Sequence, residues 1–201
     1  MTVRTHVTVV VAAFALLSGP GTCALARSGP PAATPQAAQA AAAPSAPAPV
    51  VRPEDVTSAD AILAALYDVI SGPAGVKRDW DRFRSLFAPG ARLIPIARRE
   101  GAPAEARVLT PDDYVARSSS RLEKDGFFER EIARTVETYG GMTHVFSTYE
   151  ARRARDEEKP FMRGINSIQL LNDGTRWWIV TVYWQSEAPD IPLPDKYLPR
   201  K

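Results

Sequence analysis

One histidine stands in a segment with the residue pattern of a β-strand, and its imidazole could transfer protons. Apart from His6 near the N-terminus, His144 is the only histidine of the chain. An unperturbed imidazole titrates near neutral pH and therefore suits general acid–base catalysis. Two-residue alternation puts His144 on the same side of the strand as Phe146, so a pocket on that side would make both residues part of a ligand site. The alternative is a surface or strand-end histidine that hydrogen-bonds a neighbouring strand.

Two side chains on the following predicted strand could recognise a polar group of a ligand. Asn166 offers an amide donor and acceptor, and alternation sets it on the opposite face from Gln169, so only one of the two can point into a pocket. Arg163 could bind a ligand carboxylate. A rim arginine that pairs with Glu150 is the alternative.

Large aromatic side chains offer apolar walls for a binding pocket. Trp80 and Phe83 stand in a predicted helix, and Trp178 and Trp184 stand in the last predicted strand. For each of them, plain packing in the hydrophobic core is the alternative. We therefore take Trp80, Phe83, Phe146, Arg163, Asn166 and Trp184 as the candidate ligand-binding residues.

Several classes of chemistry are excluded by what the sequence lacks. It has no Gly-x-Ser-x-Gly nucleophile elbow, no P-loop and no His-Glu-x-x-His helix motif. One cysteine and two histidines are too few for a typical zinc site, so we expect no metal and no cofactor. A net charge of +2, from 25 basic and 23 acidic residues, argues against a nucleic-acid binder. Acid–base work by carboxylates, tyrosines or His144 remains.

The two ends of the chain read as segments outside the globular domain. Residues 1–26 combine a basic start, an apolar run of about 11 residues and an Ala-x-Ala cleavage pattern, which predicts a signal peptide and a periplasmic or secreted protein. A retained N-terminal anchor is the alternative, but the run is too short for a membrane span. Residues 27–54 are rich in Ala and Pro and predict a disordered linker. Residues 188–201 predict an extended, Pro-rich tail.

Between these ends, residues 55–187 predict one α+β domain. A helix capped by Thr57 and Asp60 runs to Gly72, a second begins near Asp79, and a third begins at Thr110. Strands are predicted over 91–97, 104–109, 127–138, 142–155, 161–171 and 177–187, with hairpin turns at Gly140-Gly141 and at 172–174. The order is α-α-β-β-α-β-β-β-β. Three helices packed on one face of a curved antiparallel sheet would bury these elements.

Local strings of the domain are similar to a known superfamily. They are DWD at 79–81, LFAPGA at 86–91, HVFSTYE at 144–150, RGINS at 163–167 and GTRWWIV at 174–180. With these strings and its order of elements, the chain resembles the nuclear transport factor 2-like (SnoaL-like) superfamily over residues 55–187. The resemblance implies a cone-shaped roll with a pocket between sheet and helices. Because the superfamily includes both enzymes and binding modules, it implies a fold and no single activity.

The resemblance also has consequences for single residues. Tyr67 on the first helix corresponds to a hydrogen-bond donor into the pocket, as a tyrosine is in ketosteroid isomerase. That enzyme also needs a carboxylate base and an acidic partner; Asp68 and Asp79 stand on helices, and no Asp stands at the matching strand position. Both faces of the last strand carry apolar residues, which together with the resemblance implies a homodimer through the sheet.

Two functions follow as hypotheses. The first is an exported, non-catalytic domain whose pocket binds a small hydrophobic or amphipathic molecule. The alternative is a small lyase, isomerase or cyclase in which His144 is the general base and Tyr67 or Asn166 orients the substrate.

Overall fold

The structure is a computed structural model that describes residues 51–99 and 101–200. The predicted signal peptide and most of the predicted linker lie outside the described residues. Three helices and six strands follow in the predicted order. Their bounds are α1 Ala59–Ile70, α2 Trp80–Ser85, β1 Phe87–Ala97, β2 Glu105–Ala106, α3 Pro111–Asp125, β3 Phe128–Tyr139, β4 Met142–Arg152, β5 Met162–Asn172 and β6 Trp177–Ser186. In residues 51–99 and 101–200, no helix is both long and apolar enough to cross a membrane.

The helix starts have side-chain caps that satisfy backbone N–H groups left over in a first turn. Thr110 and Asp113 form a reciprocal capping box at the start of α3. Asp79 caps α2 by accepting a hydrogen bond from the Arg82 N–H at 2.9 Å. For α1 the predicted cap is wrong by one residue, because Ser58 and not Thr57 accepts the hydrogen bond, from the Ala61 N–H at 3.0 Å.

The α+β class is confirmed, but the sheet is mixed and not wholly antiparallel. Its strand order is β2-β1-β6-β5-β4-β3, and β1 runs parallel to β6. The other neighbours are antiparallel. Alternation of polar and apolar residues identifies a strand. It does not indicate whether two strands that are distant in sequence pair parallel or antiparallel. The prediction failed at the one pair that is distant in sequence.

One face of the sheet packs on the helices and carries the core. On β4 this face presents Val145, Ser147 and Tyr149, which are all buried. On β6 the predicted alternation breaks at a bulge, where Gln169 pairs with Thr181 and Leu170 pairs with Ile179. The extra residue, Val180, leaves both Ile179 and Val182 in the core, although regular alternation would put them on opposite faces.

The C-terminal tail crosses the opposite face of the sheet. The Thr148 hydroxyl donates to the Tyr197 carbonyl at 2.7 Å, and the rings of Phe146 and Tyr197 lie 4.9 Å apart. The Leu193 N–H donates to the Glu187 carboxylate at 3.1 Å. The segment is not extended throughout: residues 189–190 form a turn closed by a bridge between Ala188 and Ile191, and a short 3-10 helix follows at Asp195–Tyr197.

A buried arginine holds the C-terminal ends of two helices together. Arg78 is 5% exposed, and its guanidinium donates hydrogen bonds only to backbone carbonyls. Burial of a cation requires such partners, because each unsatisfied donor would lose its hydration without compensation. A Cβ at Gly72 would lie 2.6 Å from this guanidinium, so the close approach requires glycine there. The accepting carbonyls belong to Ile70 (3.2 Å), Gly72 (2.5 Å), Pro73 (3.3 Å), Leu122 (3.0 Å) and Val76.

We expect Arg78→Met to lower the free energy of unfolding by about 3 kcal/mol or more, because the variant leaves several buried carbonyls without donors. The measurement is urea denaturation followed by circular dichroism. Lys77→Met, at the exposed neighbouring position, is the control and should stay within about 0.5 kcal/mol of wild type. Equal free energies of unfolding for the two variants would show that the hydrogen bonds of Arg78 to the ends of α1 and α3 do not stabilise the fold.

Candidate functional site

A cavity lies between the helices and the inner face of the sheet. Its volume is about 330 Å³, at the lower end of the range for small-molecule sites. Most of its walls are apolar, and its polar groups are few. The lining residues are Leu66, Ile70, Phe83, Leu93, Tyr114, Ser118, Arg121, Leu122, Asp125, Gly126, Phe127, Glu129, Tyr149, Arg153, Phe161, Met162, Asn166, Val182 and Trp184.

Aromatic rings form one wall of the cavity. Phe83 is fully buried and stacks on Tyr114 with a centroid distance of 5.3 Å. Trp184 meets Tyr114 edge-on at 6.2 Å. Trp80 does not reach the cavity, because it packs edge-on behind Phe83 and its indole N–H donates to Glu123 at 3.1 Å. Of the predicted aromatic wall, Phe83 and Trp184 therefore line the cavity and Trp80 supports it.

A carboxylate and an amide meet in the same cavity. The Asn166 side chain donates to Glu129 Oε1 at 3.2 Å and to Tyr67 Oη at 3.1 Å. The Tyr67 hydroxyl lies 2.7 Å from Ser147 Oγ, which in turn donates to Glu131. Because Ser147 donates outward, Tyr67 donates to Ser147 and accepts from Asn166. The hydrogen bonds therefore run in one direction from the cavity to Glu131.

Burial changes the acid–base properties of these groups. Loss of hydration raises the pKa of Glu129 to about 7, and the hydrogen bond from Asn166 only partly opposes this. Burial also raises the pKa of Tyr67, Tyr114 and Tyr149 above the usual range for tyrosine, so these phenols remain protonated. At neutral pH the cavity thus contains a carboxyl group that is divided between its two protonation states, beside neutral donors.

A one-residue bulge in β3 points Glu129 inward. From the Gly140-Gly141 turn, the hairpin register pairs Thr135 with Phe146, both on the outer face. The register shifts between Glu131 and Ala133, so that Glu129 pairs with Ala151 and follows the inner face. Regular alternation counted back from the turn would place Glu129 on the outer face. This is why inspection of the sequence missed Glu129, although a glutamate within a half-apolar strand was a visible signal.

His144 lies on the other face of the sheet, and the prediction that it faces the pocket is wrong. Its Nε2 is 3.0 Å from the Ser167 hydroxyl, and its ring meets Phe146 edge-on at 6.1 Å. Phe146 itself packs against the C-terminal tail and does not line the cavity. The alternation was read correctly, but it could not tell which of the two faces would be covered by helices. His144 is therefore no base for a ligand in this cavity.

Arg163 also lies away from the cavity. Its guanidinium forms two hydrogen bonds with the Glu187 carboxylate, at 2.9 and 3.0 Å. The predicted alternative partner, Glu150, is held instead by Arg130 at 2.6 Å and by Arg152. The predicted role of Arg163 in ligand binding is therefore wrong for this cavity.

Tyr67 and Asn166 are the predicted polar residues that the structure brings together. Asn166 lines the cavity, whereas Tyr67 is buried behind it and touches the cavity only through Asn166. Tyr67 can therefore orient Asn166, and any direct donor to a ligand must be another group. Tyr114 and Tyr149, which sequence inspection did not single out, line the cavity themselves.

Within residues 51–99 and 101–200, no three His, Cys, Asp or Glu side chains are grouped so that they could hold a metal ion. The polar lining of the cavity includes the Glu129 carboxyl, the Asn166 amide and the phenols of Tyr114 and Tyr149, groups suited to hydrogen bonding and proton transfer.

Comparison with solved structures shows a distant similarity in fold. A protein of unknown function with a cystatin-like fold from Nostoc punctiforme has a TM-score of 0.47 and 10% identity, over 65% of this chain and 89% of that one. A nuclear transport factor 2-like protein of unknown function from Silicibacter pomeroyi has a TM-score of 0.43 and 16% identity, over 64% and 92%. One from Methylobacillus flagellatus has a TM-score of 0.43 and 16% identity, over 65% and 95%.

Two of these three structures are described as nuclear transport factor 2-like proteins. No family model matches the chain, and no curated protein matches it. The similarity concerns the fold alone. Any argument about function therefore depends on the residues of the cavity.

The raised pKa of Glu129 predicts a pH-dependent cost to stability. The carboxyl titrates near 4.5 in its ordinary state and near 7 in the folded protein, so between these values the folded state binds the extra proton. Stability therefore falls as the pH rises from about 4.5 to about 7, and the cost is complete above that window. We expect the free energy of unfolding of Glu129→Gln, relative to wild type, to rise by up to about 3 kcal/mol across the window.

Urea denaturation between pH 4.5 and 8 measures this difference. Glu158→Gln, at an exposed position between β4 and β5, is the control and should differ from wild type by a constant amount. A difference for Glu129→Gln that does not change with pH would show that the carboxyl titrates normally.

Proposed function

We propose that the cavity binds a small, largely apolar molecule that carries one hydrogen-bonding group. The observation that carries this proposal is the combination of a cavity of about 330 Å³, aromatic and aliphatic walls, and a few polar groups within it. Small-molecule sites typically have this composition, because apolar contact supplies affinity and a few polar groups supply orientation. A simple packing defect in a core would not be expected to retain a carboxyl group beside it.

The polar part of the cavity can bind either a donor or an acceptor. Near its pKa, the Glu129 carboxyl is present both as a carboxylate, which accepts, and as an acid, which donates. The side-chain amide of Asn166 donates hydrogen bonds to both Glu129 and Tyr67, and these two bonds hold the amide in one orientation.

A substitution that fills the cavity tests the binding proposal. Ser118 and Ser120 stand on α3, and only Ser118 lines the cavity, whereas Ser120 is exposed. We expect the purified protein to bind the neutral fluorescent probe N-phenyl-1-naphthylamine with a stoichiometry of one. Ser118→Trp should weaken this binding at least about tenfold, because the indole occupies the space of the probe, and Ser120→Trp should leave it unchanged. Equal affinities of the two variants would contradict the proposal.

A second candidate function is proton transfer on the bound molecule, with Glu129 as the base. It is favoured by the position of a carboxyl with a pKa of about 7 in an apolar cavity, where catalytic carboxylates gain basicity by losing hydration. The carboxylate would remove a proton from a carbon next to a carbonyl group and return it at another carbon. The neutral phenol of Tyr149, on the same cavity, could donate to the oxyanion that develops.

Isomerisation of cyclohex-3-enone to its conjugated isomer, followed by ultraviolet absorbance, tests this candidate. In the reaction Glu129 takes a proton from C2 and delivers it to C4. We expect kcat/KM to rise as the pH passes about 7, and Glu129→Gln to lower it at least about 100-fold. His144→Ala, which alters the only other titratable group predicted as a base, should retain the wild-type rate. Identical rates for wild type and Glu129→Gln would overturn the candidate.

Two further proposals concern assembly and location. The tail covers part of the outer sheet face, while Tyr139, Met142 and Leu171 are exposed in one row of directly paired positions. This apolar row supports a homodimer through the uncovered end of the sheet.

The pattern of residues 1–26 supports a site of action in the periplasm or outside the cell. The balanced charge supports a small-molecule ligand and not nucleic acid.

A further inference from the structure

The outer rim of the cavity carries two arginines. Arg121 on α3 and Arg153 just after β4 both line the cavity, together with Asp125 and Phe161. The side chains of Arg121 and Arg153 are 80% and 48% exposed, so this rim is open to solvent. The rim is thus positively charged, while the walls behind it are apolar.

These two arginines are less closely paired than the other arginines that form ion pairs in the described residues. Arg82, Arg134 and Arg163 hold carboxylate oxygens at 2.6 to 2.9 Å. Arg121 Nε lies 3.8 Å from Asp125 Oδ2, and Arg153 Nη1 lies 4.0 Å from the same oxygen. Both distances exceed that of a hydrogen bond. Two guanidinium groups therefore share one carboxylate, and the rim has a net charge of +1 with N–H groups available to a ligand.

An aromatic ring positions one of the two cations. The guanidinium carbon of Arg153 lies 4.6 Å from the centre of the Phe161 ring. A guanidinium stacked on a ring keeps the N–H groups at its edge free to bind a planar anion with two hydrogen bonds. Phe161 also packs against Phe127, which lines the cavity, with their centroids 6.2 Å apart. The stack thus fixes Arg153 at the entrance.

We infer that this rim recognises a carboxylate, and that the ligand is an amphipathic monocarboxylate whose apolar body fills the cavity while its anionic head remains at Arg121 and Arg153. The inference rests on the proposed binding function and specifies its ligand class. The Glu129 carboxyl supports the same orientation, because an ionised head placed deep in the cavity would face a like charge and lose its hydration.

Two probes that differ only in their head group distinguish the contribution of the anionic head to affinity from that of the apolar chain. Decanoate and decan-1-ol have the same chain length, and only decanoate is charged at pH 7.5. By calorimetric titration of the purified protein, we expect decanoate to bind at least about tenfold more tightly than decan-1-ol in 50 mM salt. We expect this advantage to shrink as salt is raised, because the rim is exposed.

Variants then assign the preference to the rim. The double variant Arg121→Gln, Arg153→Gln should lower the affinity for decanoate at least about tenfold. Its affinity for decan-1-ol should stay within twofold of the wild-type value. Arg117→Gln, an exposed change of the same charge on the same helix but outside the cavity lining, is the control and should change neither affinity. Circular dichroism verifies that each variant is folded.

The outcomes distinguish this inference from the binding proposal. If decan-1-ol binds as tightly as decanoate, or if the double variant binds decanoate normally, the anionic head is not recognised by the rim and the inference is overturned while the cavity remains a binding site. If neither probe binds and N-phenyl-1-naphthylamine does not bind either, the binding proposal fails and the inference fails with it.

Discussion

The chemistry of the cavity depends on a single register shift in β3. Between Glu131 and Ala133 the strand gains one residue relative to β4, and every side chain before that point changes face. Glu129 is thereby buried beside Asn166 instead of facing outward. Burial then raises the pKa of Glu129 to about 7. A carboxyl group of unusual basicity is thus a consequence of backbone geometry, and it requires no charged neighbour.

Two sets of contacts hold the elements around the Glu129 carboxyl, one at the helix ends and one in the sheet. Arg78 joins the carbonyls at the ends of α1 and α3, and residues of both helix ends line the cavity. On the sheet, β6 passes between β1 and β5, which places Trp184 and Val182 opposite the helices. The C-terminal tail covers part of the other face through Thr148 and Phe146. The inner face thus carries the cavity, while the outer face packs against the C-terminal tail.

Local patterns in the sequence sufficed for the element order, the α+β class and the start of α3 at Thr110. They did not suffice for features that depend on distant pairing or on a broken period. The parallel approach of β1 to β6 joins segments about 90 residues apart. Alternation is symmetrical between faces, so it left open which side of β4 the helices cover and whether His144 faces a pocket. Glu129 was missed because a bulge interrupts the alternation. Arg163 was available for a ligand by its type, but Glu187, the residue directly after β6, binds it.

The central claim concerns the proton of the Glu129 carboxyl group, which we expect to be lost near pH 7. Carbon-13 NMR of protein labelled at the glutamate side-chain carboxyl carbon, titrated from pH 4 to 9 and assigned with Glu129→Gln, measures that proton directly. One signal, absent from the variant, is expected to titrate near pH 7. If the Glu129 signal titrates near 4.5, the carboxyl is hydrated, and neither a dry cavity nor a base at neutral pH exists in this protein.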